Sequence, residues 1–218
     1  MFFRKSLSPI RSILSLLALV SLVGFPYAVL MPIFADRILH RGADGLGLLM
    51  GATGVGALIG ALSLAFKRGL KGLGSWVLLS SAGFGTSLIQ FGISRHFWPS
   101  VVLLVPVGYC MMVQMASSNT LIQSIVPDRL RGRVMSVYSM MFMGMAPFGA
   151  LSAGVVAHHL GAALTVSIGG MACMLGSAAF GIRLPVIRAE ARRLLLAQGL
   201  AGGDPAQEIV SQQVSEKA

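Results

Sequence analysis

Charge is what this sequence has least of. Only 11% of its 218 residues are Asp, Glu, Lys or Arg, against about a quarter in soluble globular proteins, so a water-coated domain is excluded. Acids are scarcest, with 7 against 17 Lys and Arg. Cysteine is nearly absent: Cys110 and Cys173 both fall inside apolar runs, where a thiol is a small apolar filler, so neither a disulfide nor a metal site is read from them. Enzymatic signatures are missing too. There is no H-E-x-x-H, no G-x-S-x-G, no Cys–His pairing and no acid pair within an apolar run, so no catalytic residue, metal or cofactor is expected. A net charge of +10 raises nucleic acid as a partner in a soluble protein, but no basic stripe is interleaved with aromatics, and none is expected here.

What the sequence does have is apolar length. Hydrophobic residues make up 55% and the mean hydropathy is +0.80. Six runs, 12–34, 46–66, 73–93, 99–126, 134–157 and 162–182, contain no Asp, Glu, Lys, Arg or His. Each approaches or exceeds the roughly 20 residues a helix needs to cross a bilayer, and none alternates as a barrel strand does. The fold class read from this is all-α integral membrane, a bundle of six transmembrane helices over 12–183. A short N-terminal segment, 1–11, precedes it, and a polar tail, 184–218, follows. The first run is too long for a signal peptide and lacks a cleavage site after Pro26 to Pro32, so it is read as a span. In the tail, 184–200 mixes arginines with leucines as an amphipathic surface helix does, and the remainder has the composition of a disordered segment.

Basic residues set the orientation. Fourteen Lys and Arg fall in the segments on the termini's side of the six runs, and three, Arg37, Arg41 and Arg95, on the other. The positive-inside rule then places both termini in the cytoplasm of a bacterial-type inner membrane. The lipid bilayer is therefore the first partner.

Within the runs, small and polar residues carry the information. Gly47 and Gly51, then Gly56 and Gly60, form G-x-x-x-G pairs that let helix backbones approach. Pro106 and Pro147 each remove a backbone donor and mark a kink or hinge. Gln114, Ser117 and Ser118 share one helical face of the fourth run, while Asn119 and Gln123 share another. All seven acids, and His158 and His159, lie outside the runs. A proton-coupled antiporter needs such a group at depth.

Two stretches resemble a known family. Gln123-Ser-Ile-Val-Pro-Asp-Arg-Leu-Arg-Gly-Arg-Val134, with Gly144-Met-Ala-Pro-Phe-Gly149 and Gly154, is similar to the tenth and eleventh spans of major facilitator superfamily exporters. Met31-Pro-Ile-Phe-Ala-Asp-Arg37, followed by Gly45 to Gly51 and Gly54-Val-Gly56, is similar to their seventh and eighth. The likeness runs from Arg11 to Arg183 and is strongest to the branch holding the enterobactin exporter and multidrug efflux proteins. It implies the C-terminal half of that fold, a 3+3 inverted repeat, and efflux of small amphiphilic molecules by alternating access. Because only one six-span half is matched, a truncated product or pairing with a missing N-terminal half or a second copy is expected. A non-transporting scaffold is the alternative. In the family the first and fourth helices of each half line the cavity, which makes Gln114, Asn119, Tyr27 and Ser118 the candidate substrate contacts. The loop 127–133 is both a positive anchor and a candidate cytoplasmic latch, through Asp128, Arg129, Arg131 and Arg133. The loop 66–72 lacks the family's Asp. Proton coupling, if present, is assigned to the missing half.

Overall fold

A computed structural model of the chain describes residues 8–24, 26–66, 72–126 and 128–201, with side chains placed at 10–24, 26–66, 72–126 and 129–185. Among these residues every regular element is helical. Helix α1 (Ser8–Leu19) passes through a π-helical turn, Val20–Gly24, to α2 (Tyr27–Ile33) and a second such turn, Phe34–Ile38. Next come α3 (Gly42–Ala65), α4 (Leu73–Ile93) and α5 (Phe97–Ile125). Helix α6 (Asp128–Ser139) continues through a third π-turn, Met140–Gly144, into α7 (Met145–Leu160), and α8 (Ala162–Ala201) closes the chain. Together they make six helical stretches long and apolar enough to cross a membrane: Ile10–Ile38, Gly42–Ala65, Leu73–Ile93, Phe97–Ile125, Arg129–Leu160 and Ala162–Pro185.

Several expected boundaries move outward, for one reason. Apolarity reports the depth of lipid, whereas a helix persists as long as its backbone bonds are made, past the hydrocarbon edge. The basic stretch after Pro127 is thus the first turns of α6 rather than a loop. Asp36 and Arg37, expected outside the spans, lie in the closing π-turn of the first. His158 and His159 sit in the last turn of α7 instead of a loop, where a helix C-terminus favours positive charge. The amphipathic stretch after Ile182 is helical and runs on from the sixth span as part of α8. The expectations for 1–7, for the basic loop 67–71, for the Asp128 side chain and for the tail 202–218 fall outside the described residues.

The first span is the hub, touching all five others. Around it, α3 packs along α5, α4 packs along both α5 and α8, and α7 packs on α8. Without a hydrophobic drive in lipid, close backbone approach and interhelical hydrogen bonds hold such contacts. A Cβ on Gly56 would stand 1.9 Å from the Val105 carbonyl oxygen, and one on Gly108 would stand 1.9 Å from that of Thr53. Helices α4 and α8 meet likewise, with a Cβ on either Gly85 or Gly170 falling 2.6 Å from the other's carbonyl oxygen. Three side-chain bonds reinforce the packing, two across these seams and the Tyr138 bond between α6 and α5. The Ser177 hydroxyl donates to Leu78 O at 2.9 Å, Tyr138 to Met115 O at 3.0 Å, and Ser63 to the Tyr109 hydroxyl at 3.4 Å. Phe34 stacks on Phe91, with ring centroids 4.5 Å apart.

Two of the three π-turns follow from proline. Pro26 has no N–H for the carbonyl of Leu22, and Pro147 has none for that of Met143. A widened turn stands before each, at Val20–Gly24 and Met140–Gly144, as such bulges accommodate a broken ladder. These two turns meet: the Ser21 hydroxyl donates to Phe142 O at 2.5 Å. The freed Leu22 carbonyl faces Gly149, where a Cβ would lie only 2.3 Å away.

Candidate functional site

The fourth span carries the densest polar group in the bundle. Helix α5 turns Gln114, Ser117 and Ser118 inward, at 1%, 0% and 1% exposure. Both amide atoms of Gln114 and the hydroxyl of Ser117 are buried without a hydrogen-bond partner. Burying such groups unpaired costs about 1–3 kcal/mol each, so the inside of α5 holds an unmet demand for a polar partner. Asn119 turns another way. It is half-buried and accepts a hydrogen bond from the exposed Gln123 amide one turn on.

Tyr27, at the start of α2, is buried at 4% exposure. Its ring stands edge-on to Phe84, with centroids 6.0 Å apart, and its hydroxyl faces the Thr53 side chain. Thr53 in turn donates to Leu49 O at 3.1 Å. Tyr27 therefore ties the first span to the second and third. The geometry joins Gln114, Ser117 and Ser118 on one face and leaves Tyr27 and Asn119 in separate settings.

The glycines sort into two populations that sequence reasoning treated as one. Gly45, Leu49, Ala52, Gly56 and Gly60 are the buried residues of α3, whereas Gly47, Gly51 and Gly54 face open space, with nothing within 4 Å of an added Cβ. At about 100° per residue the two stripes lie on nearly opposite sides of the helix. One packs on α5 and the other has no neighbour among the described residues. The fifth span repeats the pattern: Gly149 is packed against the first span, while Gly132 and Gly154 are open. Among the described helix-interior glycines, only these five, all in the second and fifth spans, meet nothing. Those two spans are also the least buried, at 22% and 11% of their most apolar stretches. The spacing signal that separates the stripes was present in the sequence but needs the helix's rotation to be read.

Pro106 and Pro147 are both exposed. The first lies inside the continuous α5 and the second just past the Met140–Gly144 turn. Arg129, Arg131 and Arg133 are exposed on the first turns of α6. Among the described residues no cluster of His, Cys, Asp or Glu is placed to hold a metal ion.

Residues 1–201 match the family model described as transmembrane secretion effector, of major facilitator type. The chain belongs to that family. Across 153 residues it is also 24% identical to YfmI, an uncharacterised MFS-type transporter of Bacillus subtilis strain 168, a match that covers 68% of this chain. The chain spans 37% of that curated relative's length. Six helices in this packing are consistent with one half of a major facilitator fold.

Proposed function

We propose that this chain is the C-terminal six-helix half of a secondary transporter in the major facilitator superfamily. It works against a second six-helix unit to export small amphiphilic molecules, drugs or siderophores, by alternating access. One observation carries the reading: among the described residues, the helix-interior glycines left without a neighbour all lie on the second and fifth spans. Small residues of this kind serve close helix contact in lipid, and lipid alone makes no use of them. Two such stripes on two spans fit a partner bundle that closes against both and moves relative to them.

In this reading Gln114 and Ser117 supply polar contacts at mid-depth, and Ser118, Asn119 and Tyr27 complete the candidate set. The arginines of α6, with Asp128, form the cytoplasmic latch, and both termini face the cytoplasm of the inner membrane. Protons, if they drive export, are carried by the partner half. The likeness to the enterobactin-exporter and multidrug branch supports the substrate class.

Site-directed crosslinking in native membranes from Gly51→Cys and Gly154→Cys, paired with efflux of an amphiphilic dye, tests the proposal. Both cysteines should trap a second six-helix unit, and Gln114→Ala should slow efflux at unchanged protein level. Robust proton-driven efflux by the purified 218-residue chain alone would overturn it. Capture of an unrelated membrane complex with no effect on efflux would instead mean a scaffold.

A further inference from the structure

Positive charge is disfavoured on the side of the bundle away from the termini, where only Arg37, Arg41 and Arg95 stand. Arg41 has a local role, with its guanidinium 5.2 Å from the centroid of the Phe97 ring. Among the described residues neither Arg37 nor Arg95 has such a partner. Both line one cleft of about 800 Å³, and His158 lines it with them. They arrive from three places: the closing turn of the first span, the link between α4 and α5, and the last turn of α7.

The beginning of α8 forms another wall of the same cleft, through residues 161–164. Gly161, at φ +85°, reverses the chain in one step after α7. The next amides, of Ala162, Ala163 and Leu164, have no carbonyl within the helix to bond, and they carry its positive end. Bonding to the reversal begins with the Thr165 amide, which donates to Gly161 O at 3.2 Å. Among the described residues no carboxylate lines the cleft, and Leu30, Ile33 and Leu164 give it apolar flanks. Its size falls within the roughly 300–1,000 Å³ of small-ligand sites.

We propose that this cleft binds an amphiphilic anion, with a carboxylate or phosphate head between Arg37, Arg95 and the α8 amides and an apolar tail along Leu30, Ile33 and Leu164. The charged groups of the site are this chain's own, and Gly154, which also lines the cleft, is where a second six-helix unit would border it.

The test is fluorescence titration of the full chain, in nanodiscs of phosphatidylcholine, with dansyl-undecanoate. Wild type should bind saturably. The double variant Arg37→Gln/Arg95→Gln should weaken binding roughly tenfold or more, and Arg37→Lys/Arg95→Lys should restore part of it. Arg41→Gln, a charge on the same side outside the cleft, should stay within about twofold of wild type. Phosphatidylglycerol added to the nanodiscs separates the two sources of such an anion. Displacement of the probe names a lipid headgroup as occupant, and no displacement names a free amphiphile; both keep the site. Unsaturable binding to wild type, or equal loss in Arg41→Gln, would overturn it.

Discussion

Gly56 and Gly51 occupy one helix, yet a single methyl group should have opposite effects at the two. At Gly56 it would strike the Val105 carbonyl, and at Gly51 it would meet nothing. Gly56→Ala must therefore push α3 from α5, which as overpacking costs about 1–3 kcal/mol. Gly51→Ala leaves this bundle unchanged or firmer by up to about 1 kcal/mol, the helix propensity gained. Thermal unfolding of the two variants in detergent separates them. Gln114 makes a second contrast. Leucine there removes an unpaired buried amide of similar size, so Gln114→Leu should raise the melting temperature while lowering export, a trade of stability against activity. Equal melting of variant and wild type would mean that Gln114 is already satisfied. The sequence made Gln114 legible because a glutamine at such depth is conspicuous; its missing partner was not legible, since that depends on what the other helices bring to it.

At the scale of elements, the sequence displayed all six spans but misplaced their ends. Arg129, Arg131 and Arg133 look like a loop when only hydropathy is read, although they form the first turns of α6. The π-turns were hidden as well. Pro147 announced a broken ladder, yet only packing shows that its break faces the one before Pro26 and that the two exchange the Ser21–Phe142 bond. That contact joins the first and fifth spans, where fewer close approaches back it up than between α3 and α5. Ser21→Ala should cost about 0.6 kcal/mol, as interhelical bonds in membranes do. It should also speed backbone hydrogen exchange around Met140–Gly144 more than around α4. Uniform exchange across both would show that the bond does not pin the turn.

For the molecule as a whole, the proposed orientation rests on charge, and the histidines gather at the end of the bundle away from the termini. All four histidines, His40, His96, His158 and His159, lie at ends of helices away from the termini. With the termini cytoplasmic, a cysteine at His96 should react with a membrane-impermeant maleimide in intact cells. One at Arg129 should react only after the membrane is opened. The reverse pattern would invert the topology. The cleft of Arg37, Arg95 and His158 was not legible before the structure, because the three are distant in sequence and meet only through the fold.

The glycines that face nothing also bear on the life of the protein in a cell. A membrane chain that displays two ready-made contact stripes resembles a subunit awaiting assembly, and one left without its partner should be open to proteolysis. Turnover should then depend on stoichiometry: produced in excess of whatever covers the second and fifth spans, the surplus should decay quickly. Leucines placed at Gly47, Gly51 and Gly154 should shield it from the protease even as they bar it from assembling.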